Sequence, residues 1–189
     1  MDYFISDLHF GHEDRVIWDK RPFRDAAEMY DIMRSRWNDK VTAEDDVWII
    51  GDFTYCGETD DNNIRRYAEG LNGRKHLIYG NHDMRIEADA SLQGLFEECV
   101  YQKYIERDGR KIFMYHYPLT EWYRRPTGCF LIYGHIHGSR DDGYEFMANN
   151  RSDSAFNAGV MINDYVPVTF DELRENNRRF HDYSDKGEY

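Results

Sequence analysis

The feature that most constrains this fold is a construction used five times: a short apolar run that stops, often at a glycine, and delivers a residue of metal-ligand type. The fullest copy spans Lys75 to Asp83, where Leu77-Ile78-Tyr79 ends at Gly80 and is followed by Asn81, His82 and Asp83. Phe4-Ile5-Ser6 runs into Asp7-Leu8-His9, and Val47 to Gly51 runs into Asp52. Ile112 to Tyr115 runs into His116, and Phe130 to Gly134 into His135-Ile136-His137. Such runs read as buried strands of a largely parallel sheet, covered on both faces. Their polar ends then fall at the C-terminal edge of the sheet, where open α/β sheets bind ligands. Gly-Asn-His-Asp alone is also an ordinary turn sequence, so it is the repetition that decides. Of the eight histidines, six (His9, His12, His82, His116, His135 and His137) lie in or beside these strand ends, too orderly a placement for core packing.

The segments between the strands carry helical signals. A short helix holding Val16, Ile17 and Trp18 follows His12, which either caps it or reaches the strand-end cluster. Asp25 caps a stronger helix, with Glu28 three residues on as in a capping box; Ala26, Met29, Tyr30, Met33 and Trp37 form its apolar face. A further helix is expected from Asn62 to Leu71, stopped by Gly73. Met84 to Leu95 reads as a loop with one or two helical turns. The second half is strand-rich: Val100 to Glu106 alternates, Asp108-Gly109 is a hairpin turn, and Lys111 to Tyr115 returns. Phe130 to Tyr133, Tyr144 to Ala148 and Ala155 to Val160 read as further strands. A last helix begins near Phe170, and residues 183–189 are expected to form a frayed polar tail. These units predict two facing sheets with helices outside, in one domain spanning residues 1–189.

Composition excludes several classes. With 41% hydrophobic and 16% aromatic residues the chain can build a core, so disorder is excluded. A net charge of −12 argues against a general duplex-DNA binder. It leaves room for a small nucleotide or a nucleic-acid end held through metal ions. Cys56, Cys99 and Cys129 are odd in number and far apart, so neither a disulfide framework nor a thiolate zinc site follows. No run reaches membrane-spanning length and no signal peptide precedes the first strand, which makes a reducing cytoplasm the expected compartment.

Asp7, His9, Asp52, Asn81, His116, His135 and His137 offer mixed oxygen and nitrogen donors. That mixture suits first-row ions such as Mn, Fe, Ni, Co or Zn, and suits neither calcium nor thiolate zinc. Seven donors exceed one tetrahedral ion and fit two ions roughly 3.5–4 Å apart with one bridging carboxylate.

Asp-x-His, Gly-Asp, Gly-Asn-His-Asp, a lone His and Gly-His-x-His, in that order from Asp7 to His137, resemble the calcineurin-like metallophosphoesterases, in particular a small bacterial or phage-type branch. The resemblance implies an α/β four-layer α-β-β-α sandwich of two facing mixed sheets and phosphoester hydrolysis at a two-metal centre. It implies Asp7, His9 and His137 as ligands of one ion, Asn81, His116 and His135 as ligands of the other, and Asp52 as the bridge. His82 is implied as the general acid or phosphate contact, with Asp83 orienting its imidazole and favouring its charged form.

The leading expectation is therefore a phosphatase or phosphodiesterase acting on a small or nucleotide-like phosphate ester. A nuclease or nucleic-acid end-processing phosphatase is the alternative, in which Arg124 and Arg125, with Trp122 and Tyr123, stack a base and contact a phosphate. A non-enzymatic metal-binding interaction scaffold is a third, and would be signalled by lost ligands. The sequence leaves oligomeric state open.

Overall fold

The computed structural model of the chain describes residues 1–55, 57 and 59–185, of which 183–185 are described by their backbone alone. Eight strands form two four-stranded sheets. The first contains β1 (Asp2–Ile5), β2 (Asp46–Ile50), β3 (Arg74–Ile78) and β4 (Glu98–Val100) in that spatial order, all parallel. An antiparallel bridge between Phe4 and Val168 extends its β1 edge. The second contains β5 (Gln102–Arg107), β6 (Arg110–Tyr115), β7 (Phe130–Tyr133) and β8 (Ala155–Asn157), with β5–β6 antiparallel and the remaining pairs parallel. Asp108 and Gly109 both take positive φ in the β5–β6 turn, the geometry that matches strand twist.

Alternation along the strands builds three cores. Phe4, Trp48, Ile50 and Ile78 of the first sheet pack against Ile105, Ile112, Met114, Ile132 and Phe156 of the second. The opposite face of the first sheet, with Ile5, Val47, Ile49 and Leu77, buries against the helices that follow β1 and β2. These are α1 (Glu13–Trp18), α2 (Ala26–Lys40) and α3 (Asp61–Glu69). The outer face of the second sheet, with Phe113, Leu131, Tyr133 and Ala155, is covered by Trp122, Ile136 and Met147. Two one-turn helices, α4 (Met84–Glu87) and α5 (Ala90–Gln93), lie between β3 and β4, where helical turns were expected. The helix α7 (Phe170–Asp185) packs on β1 and β8 and inserts Phe170 and Leu173 between the sheets. The architecture is the expected α-β-β-α sandwich.

Several local expectations change. Tyr144 to Ala148 is helical, inside α6 (Asp142–Arg151), because the Asp141 side chain accepts the Tyr144 N–H and caps a helix. The alternating run Val100 to Glu106 is split: β4 ends at Val100 and β5 starts at Gln102, so the chain changes sheets at Tyr101. The strand expected to Val160 ends at Asn157, and Val160–Ile162 is a 3-10 turn. The helix expected over Asn62–Leu71 is shifted, running from Asp61 to Glu69 with Gly70 as C-cap. On α1 only Val16 is buried. Asp25 caps α2 as expected, but Glu28 returns to the N–H of Arg24, so the box closes one residue early. The helix α7 continues to Asp185, into the stretch expected to fray; residues 186–189 lie outside the described residues. Cys99 and Cys129 are free thiols, and Cys56 lies outside the described residues. Among the described residues no helix is long and apolar enough to cross a membrane.

Candidate metal centre

All seven expected ligands follow a strand of one sheet or the other, and the facing sheets bring them to one edge. The ligand atoms of Asp7, His9, Asp52 and His137 lie within 4.8 Å of one another, and all four residues are buried. Asn81 Oδ1 sits 3.2 Å from His116 Nε2 and 3.0 Å from His135 Nδ1, which forms a second group. Asp52 Oδ2 joins the two groups, 3.4 Å from His9 Nε2 and 3.6 Å from His116 Nε2.

The backbone geometry explains how so many donors converge. Asp7, His9, Asp52, His135 and His137 all have positive φ, between 51° and 73°. Side chains other than glycine enter that region at a cost of about 1 kcal/mol or more each, and such strain concentrates at functional sites. The glycines between strand and ligand provide space for the neighbouring loop. A Cβ on Gly80 would meet Asp52 Oδ1 at 2.3 Å, and one on Gly134 would meet Ser6 Oγ at 2.5 Å and Asp7 Oδ2 at 2.8 Å. The recurring glycine is thus a close-approach site for the next ligand's loop.

Around the donors, a layer of hydrogen bonds fixes their orientation. His116 Nδ1 lies 2.9 Å from the Ile50 carbonyl, which only accepts, so Nδ1 carries the proton and Nε2 presents its lone pair to Asn81 and Asp52. His137 Nδ1 donates to Asp19 Oδ2 at 2.8 Å, directing Nε2 toward Asp7 and His9. Burial opposes ionisation of Asp19, but the His137 hydrogen bond and the His137, Arg21 and Arg15 charges outweigh it and hold the carboxyl at about 2. Arg21 is itself only 4% exposed. Its guanidinium donates to Asp19, to the Leu8 carbonyl at 2.9 Å and to the Asp7 carbonyl at 3.0 Å, clamping the first ligand turn. Asp7 accepts from Ser6 Oγ at 2.6 Å and from the His135 N–H. Asp19 and Arg21 are not among the site residues expected from the sequence, because neither ends a strand and their contacts to the ligand turns are tertiary.

The expected role of Asp83 is corrected. Its carboxylate does not reach the His82 ring: Oδ2 accepts the N–H groups of Asp52 and Gly80, and Oδ1 that of Phe53. It also makes no capping bond to the turn that follows. Asp83 therefore staples the Gly80 turn to the Asp52 turn, while His82 gives its own N–H to Asp52 Oδ1 at 2.9 Å. Nor is His82 cationic. Burial first, then the charge of Arg15, lower it to about 4. His12 caps α1 by position only; it makes no side-chain capping bond, and its Nδ1 lies 3.3 Å from His9 Nδ1 with its ring stacked on Tyr55. His12 thus belongs to the rim of the centre.

Arg124 and Arg125 are not brought to the centre. Arg124 pairs with Glu106, which lies opposite Lys111 at the end of β6 remote from His116, and Arg125 pairs with Glu121. Trp122 is buried, its indole N–H donating to the Cys129 carbonyl. Charge pairing accounts for Arg124 and Arg125 and packing for Trp122, while Tyr123 is exposed.

The donors fit divalent cations on their own chemistry. Asp52 is a buried carboxyl whose pKa is raised by burial and then by the Asp7 charge, so that it resists ionising alone. Burial and the Asp52 charge push Asp83 up likewise. Buried acids crowded in this way lack a compensating positive charge. His9 is held well below its ordinary value by burial and by His137, which leaves it a neutral donor. Oxygen and imidazole donors facing one another, with their outer nitrogens hydrogen-bonded, are what a first-row divalent ion requires.

The fold, with acidic and imidazole side chains gathered at one edge of its sheets, matches one family of phosphoesterases. A family model for the calcineurin-like phosphoesterase superfamily domain matches residues 3–161, and the chain belongs to that family, whose members bind divalent metals. It is 31% identical over 169 residues to an uncharacterised protein of Methanocaldococcus jannaschii, covering 89% of this chain and 86% of that one. It is 30% identical over 162 residues to the gene 66 protein of Mycobacterium phage D29, covering 71% and 77%. Among solved structures, a protein of unknown function from Aquifex aeolicus superposes with a TM-score of 0.71 at 30% identity, covering 93% of this chain and 98% of that one.

Proposed function

We propose that the chain is a divalent-metal-dependent hydrolase of phosphate esters working with two ions, manganese foremost, on a small or nucleotide-like substrate. Asp7, His9 and His137 would hold one ion, Asn81, His116 and His135 the other, and Asp52 would be shared. The observation that carries this reading is the position of Asp52 Oδ2, within 3.6 Å of a histidine nitrogen from each group. Bound divalent ions supply Lewis acidity, making a water more acidic and neutralising phosphoryl oxygens as charge builds.

The protein's own residues supply orientation. Asp19 and Ile50 fix the imidazoles of His137 and His116. Asp83 holds two ligand turns in register. His82, neutral and about half buried, is suited to give an N–H hydrogen bond to a substrate oxygen, and it contains no resident imidazolium. Trp122, Arg124 and Arg125 lend no support to a nuclease, and the intact donor set gives none to a scaffold.

The test is a metal-reconstituted assay comparing p-nitrophenyl phosphate, its bis ester, and 2′,3′- and 3′,5′-cyclic nucleotides, with elemental analysis of the loaded protein. Two ions per chain and metal-dependent turnover are expected, with occupancy lowered in Asp52→Ala. A single ion, full occupancy in that variant, or no turnover on any ester would overturn the reading.

A further inference from the structure

We infer that the substrate is a nucleotidyl phosphoester whose base stacks on Trp18 while Arg15 contacts a phosphoryl oxygen. This rests on the phosphoesterase reading and adds the substrate class.

A groove of about 350 Å³ is lined by His135 and His137 of the metal centre and by Arg15 and Trp18 of α1. Trp18 is 63% exposed, whereas Trp37, Trp48 and Trp122 are all buried. An indole left in water beside a reactive centre forgoes the largest burial any side chain offers. Its neighbours are polar groups suited to recognition. The His12 ring lies 6.0 Å away and the Arg15 guanidinium carbon 5.7 Å from the indole centroid.

Arg15 is underused. Its hydrogen bond is one of 3.3 Å to Asp19, and its Nε is buried with no partner among the described residues. That Nε is closed to an incoming group, so a ligand would meet the terminal nitrogens of the side chain, which is 27% exposed. The guanidinium lies over one face of the exposed indole, and a base stacked on the other face with a phosphate on the terminal nitrogens would use both groups together. Sugar phosphates and alkyl phosphates would leave the indole bare. The net charge of −12 repels long polyanions, which favours a short nucleotidyl ester over extended nucleic acid. The stacking platform that the sequence suggested at Trp122 to Arg125 is thus found on α1.

Two measurements test this. Adenosine 5′-monophosphate and ribose 5-phosphate are titrated into metal-loaded protein while tryptophan fluorescence is followed. Because the other three indoles are buried, quenching by the nucleotide reports Trp18, and it should be absent with the sugar phosphate and largely lost in Trp18→Phe. In parallel, kcat/KM is measured for the p-nitrophenyl diester of thymidine 5′-phosphate and for methyl p-nitrophenyl phosphate, which share a leaving group. The ratio of the two should fall about tenfold in Trp18→Ala and be substantially restored in Trp18→Phe. Equal quenching by both ligands, quenching that persists in Trp18→Phe, or an unmoved ratio would overturn the inference. Trp18-dependent quenching without hydrolysis of either ester would support the base site and refute the phosphoesterase reading. Hydrolysis without Trp18-dependent discrimination would do the reverse.

Discussion

Replacing Asp19 by Ala isolates what the layer around the ligands contributes. In the wild type, Asp19 Oδ2 takes the His137 Nδ1 proton at 2.8 Å and two Arg21 donors at 3.1 and 3.2 Å. Without it, the His137 ring is free to exchange tautomers and rotate, and Nε2 no longer faces Asp7 and His9 in every molecule. Arg21 keeps the Leu8 and Asp7 carbonyls, so the first ligand turn should survive. Loss of such a partner typically weakens metal affinity about 10- to 100-fold. Competition with a chelator of known affinity reads the change, and circular dichroism checks that the fold is kept. Turnover should recover toward wild type as metal is raised, because the defect is in occupancy. An Asp19→Ala protein that folds and binds metal as tightly as wild type would refute the idea that Asp19 sets the His137 tautomer. Asp19→Asn, which keeps an acceptor oxygen, should fall between the two.

Three further outcomes are expected. Gly80→Ala brings a Cβ about 1 Å inside ordinary contact with Asp52; such overpacking costs about 1–3 kcal/mol, and both melting temperature and metal stoichiometry should fall, whereas unchanged stoichiometry would contradict the interlock. His82→Gln should retain metal and lose about 10²–10³-fold in kcat. Because His82 is held at about 4, it stays neutral from pH 5 upward, and a break between pH 6 and 7 that vanishes in the variant would refute its neutral state. Asp46 is lowered to about 2, chiefly by its hydrogen bond to Arg74. A depressed carboxyl contributes stability that is present above the unfolded value of about 3.9 and lost as pH falls toward 2. Asp46→Asn should therefore flatten the acid limb of thermal unfolding by about 0.2–1 kcal/mol, given the exposure of Arg74, and an unaltered limb would count against the pair.

How much of this was legible in the sequence depends on how local each determinant is. The strand ends were readable because an apolar run and a ligand are adjacent in the chain, and the sheets merely gather them. Tyr144 to Ala148 misled because five residues with two aromatics suit either period, and the deciding contact is the Asp141 cap. Tyr101 hid a change of sheet because alternation continues across it. Asp83 was assigned to its sequence neighbour His82, but its carboxylate turns back to another strand's turn, 31 residues earlier. Arg21 and Asp19 act through contacts to residues 13 to 118 positions away, which no local pattern encodes.

The left-handed turns at Asp7, His9, Asp52, His135 and His137 tie the identity of each donor to the path of its main chain. Together they burden the folded chain with about 5 kcal/mol, the scale of a small domain's entire margin. A β-branched residue at any of these positions would be rejected by the backbone before its coordination chemistry mattered. Anyone transplanting this centre to another scaffold would have to carry over five bends, since seven side chains alone would not reassemble it.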